Sequence, residues 1–257
     1  MPISGSDILL YEKKDKIVTM TLNRPERLNS LSLELIERLD EAFIRFRDDN
    51  DAWVAIITGA GDRAFCAGLD LKEQAERQTV SEYQVTPEPC HVDVWKPLIA
   101  AINGYAIAGG WWLANKCDIR IAAEHAQMGI AETMWNLDTA WIVQLAHKML
   151  LGHALEVVLW GDTRITAQRA YEIGWVNRVV PMDKLMEEAM SWAERMVHLG
   201  PRSVRDAKEI LYRGSYLPPS EGLAFGTALC TNLVGMEDTI EGPRAFAEGR
   251  KPEYKNK

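Results

Sequence analysis

The chain lacks any apolar run near the roughly 20 residues that a membrane helix requires. Residues Met1 to Tyr11 lack the basic stretch and apolar core of a secretory signal. A cytoplasmic protein with no membrane partner is therefore expected. Basic clusters long enough to follow a phosphate backbone are also missing, and the net charge is −8, so nucleic acid is not an expected partner. Cysteine is sparse. Cys66, Cys90, Cys117 and Cys230 form no C-x-x-C pair and have no histidine at metal-ligand spacing. They read as reduced, mostly buried thiols, and no metal site is expected. No internal repeat of fixed period is visible.

What remains is an ordinary globular composition. The 257 residues are 47% hydrophobic and 26% charged, which suits one substantial domain. Nine tryptophans are many for this length and suggest an aromatic-walled interior. Ile17 to Leu22 is apolar and β-branched, as a strand should be, and Asn23-Arg24-Pro25-Glu26 reads as a turn. Ser32 can cap a helix whose Leu35, Ile36, Leu39, Ala42, Phe43 and Phe46 fall on one face. Trp53 to Thr58 reads as a buried strand, and Leu98 to Ile102, Asp118 to Ala122 and Gln127 to Ile130 as further strands. This alternation predicts an α/β layered fold with crossover connections. From about residue 145 the pattern turns helical: Leu145 to Trp160, Thr166 to Ile173, Asp183 to Val197 and the chain beyond 204. A core over residues 1–200 and a helical region over 201–257 are expected. The polar stretch Gln74 to Pro89 holds two prolines and reads as a mobile loop of the kind that covers sites.

Two glycine-bearing segments carry the chemistry. In Phe65-Cys66-Ala67-Gly68-Leu69-Asp70-Leu71, small residues let the backbone approach a ligand, although a plain tight turn would read the same way. In Asn103 to Gly110 an apolar strand runs into Gly109-Gly110, which open a helix whose N-terminus favours negative charge. Packing glycines between strand and helix are the plainer alternative. Together, two such turns can aim two backbone N–H groups at one oxygen. That is the device needed to stabilise an enolate or a tetrahedral oxyanion.

At this point the sequence resembles the crotonase (enoyl-CoA hydratase/isomerase) superfamily. The likeness runs from about residue 8 to 254. It is carried by Asn23-Arg24-Pro25 with Leu28-Asn29, Cys66-Ala67-Gly68-Leu69-Asp70, Ala100 to Ala106 with Gly109-Gly110, and Leu113-Ala114 with Cys117-Asp118. Gly161 to Ala167, Ala170, Gly174, Val176-Asn177, Val179-Val180-Pro181, Glu241-Gly242 and Ala245-Phe246 complete it. The resemblance implies a spiral of ββα units, a C-terminal helical trimerisation region over 201–257, and trimers or dimers of trimers. It implies an acyl-CoA thioester as substrate, with coenzyme A arriving as part of it and no separate cofactor. The thioester oxygen would sit between the N–H groups of Leu69 and Gly109. Ala67, Gly68 and Asp70 would belong to the substrate-binding segment. Arg27 and Leu28 would lie near the nucleotide end of CoA, and Lys251 would reach a CoA phosphate on a neighbouring subunit.

The sequence departs from the two-glutamate hydratase pattern. One glutamate is kept, as Glu132; the position of the other is Trp112. A single carboxylate can shuttle a proton between carbons, as the family's single-glutamate isomerases do, and the hydroxycinnamoyl-CoA hydratase-lyases hydrate with a glutamate there alone. Glu132, in a pocket to which Met134, Trp135 and Trp141 are candidate contributors, is expected to have a raised pKa. Asp138 admits three readings: a cap for the following helix, a second acid/base or water-positioning group, or a nucleophile resembling that of the family's 4-chlorobenzoyl-CoA dehalogenases. Trp111 and Trp112 are either core or a wall favouring a flat, cyclic or aromatic acyl group. His91 is either surface or site. Hydratase/isomerase chemistry with Glu132 as acid/base is the leading expectation. Hydrolysis, dehalogenation or C–C cleavage through Asp138, and a catalytically silent CoA-ester-binding protein, are the alternatives.

Overall fold

The computed structural model describes residues 8–76 and 92–257. The expected loop from Gln74 to Pro89 lies, from residue 77 on, outside the described residues, as do His91 and Cys90.

Two sheets are built by one alternating rule. After the hairpin β1 (Leu9–Lys14) and β2 (Ile17–Leu22), helix α1 (Leu33–Asp48) crosses over to β3 (Val54–Gly59). β3 is followed by the short β4 (Ala64–Cys66) and helix α2 (Leu71–Glu76). The same step recurs with β5 (Leu98–Ile102), β6 (Tyr105–Ile107) and helix α3 (Gly109–Lys116). It recurs once more with β7 (Ile119–Ala123), β8 (Gln127–Gly129) and a 3-10 turn at Glu132–Trp135. The first strand of each step joins a six-stranded sheet and the second joins a four-stranded one. The result is the expected ββα spiral. Val54, Leu98 and Ile119 open its turns at unequal spacing, so the structural repeat leaves no period in the sequence.

The larger sheet runs β1-β2-β3-β5-β7-β10, where β10 is Arg178–Val180, and is parallel except for the first hairpin. β3 is buried along its whole length because it lies between β2 and β5 and packs against β4 and the helix over Leu185–Met196. The edge strand β1 carries its charges outward. α1 starts where expected: the Ser32 hydroxyl accepts from the Leu35 N–H at 3.2 Å. Its predicted stripe is buried to the last residue. Each such large side chain contributes about 1.5–3 kcal/mol of burial.

The half expected to be helical also supplies two strands, β10 and a two-residue one at Ile165–Thr166, and it departs from the expectation in one helix as well. Leu145 to Trp160 is not a single helix. A 3-10 segment covers Ala140–His147, Leu150 is extended, and α4 runs Leu151–Leu159. α5 (Ala167–Glu172), capped by Thr166 and preceded by the two-residue β9 (Ile165–Thr166), and α6 (Leu185–Met196) follow. α7 (Pro201–Glu209), α8 (Pro219–Cys230) and α9 (Glu237–Ala247) complete the chain. α7 is tied to β7 through the Lys208–Asp118 ion pair at 2.8 Å. Among the described residues, no helix is long and apolar enough to cross a membrane.

Candidate active site

The small sheet positions the site. β4, β6 and β8 are parallel, with Cys66 opposite Ala106 and Ile107 opposite Gly129, so their C-terminal ends emerge side by side. The segment after β4 is Ala67 to Asp70, the one after β6 is Ala108-Gly109, and the one after β8 leads to Glu132. Both glycine motifs and the retained glutamate thus arrive at one place. Ligands of open α/β sheets gather at such strand ends for the same reason.

The first segment is held as an extra strand. Leu31 donates to the Gly68 carbonyl at 2.8 Å, and Asp70 donates to the Leu31 carbonyl at 2.9 Å. This pairing uses the amides on either side of Leu69 and turns the Leu69 N–H the other way. Gly68 has φ +91° and a side chain there would come within 2.9 Å of the Ile107 carbonyl, so only glycine fits. In the second segment Ala108 has φ 53° and ψ −121°, a conformation that costs a non-glycine residue about 1–3 kcal/mol. Its N–H is fixed to the Gly129 carbonyl at 2.8 Å. The strain starts α3 so that Gly109 is its first residue, with an N–H that has no intrahelical acceptor. The two amides are near neighbours: Leu69 N is 3.8 Å from the point where a Gly109 Cβ would stand. Among the described residues neither N–H donates a hydrogen bond.

Leu69 and Gly109 line a cavity of about 350 Å³, and Ala67, Trp112, Glu132, Trp135 and Asp138 line it with them. Glu132 is only 6% exposed. One carboxylate oxygen accepts from the Trp141 indole N–H at 3.2 Å; the other is buried without a partner among the described residues. Burial pushes this carboxyl up to about 7, against the smaller lowering effect of its hydrogen bonds. Asp138 differs. Its Oδ1 accepts from the Ala140 N–H at 2.9 Å, which opens the 3-10 segment carrying Trp141. This is an Asx turn one residue ahead of the segment's cap position, Thr139, and Asp138 still lines the cavity.

The remaining expected residues separate. Gly68 shapes the loop from behind. Asp70 pairs with Arg24 at 3.0 Å and caps α2 through the Glu73 N–H at 3.3 Å, so it braces the loop and does not line the cavity. Arg27 is exposed on the turn before α1, and the Leu28 carbonyl accepts from Ala67 N–H at 3.1 Å, which sets that turn beside the site. Lys251 is exposed near the C-terminus. The two tryptophans resolve cleanly: Trp111 is fully buried against Trp175, with centroids 4.3 Å apart, whereas Trp112 reaches the cavity. Sequence reasoning assigned no cavity role to Gly161 to Arg164, which form the opposite wall. Gly161 was the available signal: a side chain there would meet the Thr133 hydroxyl at 2.2 Å, so glycine lets this loop press on the Glu132 turn.

Free backbone donors facing a buried carboxyl across an aromatic-walled cavity define an enzyme site suited to a carbonyl compound that gains or loses a proton nearby. The enoyl-CoA hydratase/isomerase family matches residues 12–257. An (E)-benzylidenesuccinyl-CoA hydratase from Thauera aromatica is 35% identical over 95% of this chain and 97% of its own. A carnitinyl-CoA dehydratase from Salmonella typhimurium is 34% identical over 98% of this chain and 100% of its own. The crystal structure of an enoyl-CoA hydratase from Bacillus anthracis is 36% identical, covers 97% of this chain and 100% of its own, and superposes with a TM-score of 0.90. The chain belongs to the enoyl-CoA hydratase/isomerase family of the crotonase superfamily, and it is an enzyme of hydratase/isomerase type acting on acyl-CoA thioesters.

Proposed function

We propose that the protein adds water to, or removes it from, a 2-enoyl-CoA thioester, with Glu132 as its single acid/base. The observation that carries this reading is the unpartnered, buried oxygen of Glu132 in the same cavity as the free amides of Leu69 and Gly109. In hydration the thioester oxygen accepts from both amides. The ionised Glu132 takes a proton from water as its oxygen bonds to the β-carbon. Electrons move onto the thioester oxygen as an enolate, which the two N–H groups stabilise. The protonated Glu132 then delivers that same proton to the α-carbon, and the carboxylate is restored. Dehydration runs the steps in reverse. A pKa near 7 suits a group that both accepts and donates.

Trp112, Trp135 and Trp141 favour a flat or aromatic acyl group, and the Thauera relative is named for benzylidenesuccinyl-CoA. No separate cofactor enters this scheme; coenzyme A comes with the substrate. The Asp138 carboxylate, whose Oδ1 accepts from the Ala140 N–H, is read as a brace of the 3-10 segment, and its use as a nucleophile in hydrolysis, dehalogenation or C–C cleavage is the competing reading. The helices over 201–257 are proposed to assemble trimers or dimers of trimers, in the cytoplasm. The test is Glu132→Gln assayed with a panel of linear and aromatic enoyl-CoA esters in ¹⁸O-labelled water. A loss of about 10³-fold in kcat, within the range for general acid–base groups, with thioester binding unchanged within a few-fold, is expected. Retained turnover would sink the assignment, and a shifted double bond without label in the wild type would replace hydration with isomerisation.

A further inference from the structure

Trp112 borders two cavities. One is the acyl cavity of about 350 Å³; the other, of about 730 Å³, is lined by Trp95, Lys148, Leu211, Tyr212 and Tyr216. Among the described residues, Trp112 is the one that lines both. It is nonetheless only 6% exposed, so the indole is packed against its surroundings while bordering both cavities. Its ring has a face toward the larger one: the ammonium of Lys116, one turn further along α3 and itself on the larger cavity, lies 5.6 Å from the ring centroid.

The helix that carries this indole is clamped. The Asn115 side-chain oxygen accepts from the Trp175 indole at 3.1 Å, and its amide donates to Gln144 at 3.4 Å. The Asn115 carbonyl accepts from the half-buried Lys148 ammonium. Gln144 lies on the same 3-10 segment as Trp141, so both walls of the acyl cavity are fixed to each other at this end. A close-packed aromatic on a clamped helix does not swing aside readily.

We propose that Trp112 is a specificity-determining residue: it closes the end of the acyl cavity, limits the length of the acyl group, and keeps the larger cavity out of the substrate's reach. The proposal rests on the reading that the acyl part of the thioester occupies the cavity of Glu132. A methylene moved from water onto an apolar wall improves binding about fourfold. In the wild type that gain stops where the chain meets the indole. With a smaller side chain at 112 the two cavities join and the gain continues.

The experiment measures kcat/KM for straight-chain 2-enoyl-CoA esters of four to sixteen carbons, and for one aryl ester, with wild type, Trp112→Phe and Trp112→Leu. The wild type is expected to lose activity as the chain lengthens. Trp112→Leu raises the ratio of long-chain to short-chain kcat/KM by about tenfold or more, with Trp112→Phe between. An unchanged ratio in both variants, or a wild type that handles sixteen carbons as well as four, overturns the proposal. Saturated acyl-CoA esters of increasing length, used as inhibitors of the wild type, test it without any variant. Their Ki should stop falling at a defined length; a fall that continues about fourfold per methylene to sixteen carbons counts against the wall. A wild type that turns over none of the enoyl esters defeats the hydratase reading instead, while calorimetric Kd values of the same saturated esters for wild type and Trp112→Leu still decide whether Trp112 closes the cavity: a length limit in the wild type that the variant lacks supports the wall, and equal series for both overturn it.

Discussion

At the residue scale, the environment of Glu132 governs both reactivity and stability. Its ordinary value is 4.5, and burial raises it to about 7 in the folded chain. Between these values the unfolded chain has released the proton and the folded chain has not. The stability that the neutral carboxyl contributes is therefore fully present below pH 4.5 and is lost as pH rises through 7. Glu132→Gln removes this titration. Relative to wild type the variant should gain stability from pH 5 to pH 8, on the order of 3 kcal/mol, in urea unfolding series at the two pH values. A constant difference would show that the carboxyl is not displaced from its ordinary range. Activity should follow the opposite course, because in the proposed mechanism the ionised form activates water: kcat/KM of the wild type rises through a limb near pH 7. Trp141→Phe deletes the donor that favours the ionised form, so its limb should move to higher pH. The carboxylate itself was legible from its place after a strand and the surrounding motif. Its indole partner was legible only as a neighbour, since nothing in sequence spacing says that a 3-10 segment brings Trp141 back over Glu132. Trp111 and Trp112 show the same limit: adjacent residues on a helix point about 100° apart, and only packing shows which of the two meets the cavity.

At the scale of elements, short segments do the positioning. Asp138 opens the 3-10 segment that carries Trp141. Asp138→Ala should cost about 1 kcal/mol in thermal or urea unfolding, with Asp138→Asn close to wild type and turnover within a few-fold in both. Covalent capture of an acyl group on Asp138 would refute this. α3 presses its first turn onto β4: a Cβ on Gly110 would stand 2.0 Å from the Cys66 carbonyl. Gly110→Ala is expected to cost about 3 kcal/mol or more, or to prevent folding, as read by thermal unfolding. Long elements with a clear period, such as α1 and β2, were legible because one buried face dictates which residues are apolar. The break in Leu145 to Trp160 was not. Leu150, Leu151, Leu155 and Leu159 are exposed in the single chain, so their apolar character does not mark a face buried within it.

At the scale of the whole molecule, the spiral converts three separate strand ends into one site. Residues 66–70, 107–109 and 129–132 are distant in sequence, and their meeting depends on parallel pairing that no local pattern encodes. The motif resemblance supplied it; periodicity alone would have given only an α/β layered fold. The proposed association of chains belongs to the same scale. Leu150, Leu151, Leu159, Trp160, Leu223 and Phe246 are each more than half exposed, which is unusual for a stable monomer. Sedimentation analysis is expected to return the mass of three or six chains. A monomer at micromolar concentration would contradict the proposed assembly.

The lone oxygen of Glu132 has a spectroscopic consequence. The chain has 37 Asp and Glu residues, and of the described carboxyl groups displaced from their ordinary range Glu132 is the one displaced upward. Near neutral pH it is part acid and part anion. Its acid C=O stretch would then stand apart in an infrared difference spectrum, and Glu132→Gln would erase it. On the proposed mechanism this is a vibrational label at the reacting position, readable without dye or isotope, and its intensity would change when a thioester fills the cavity.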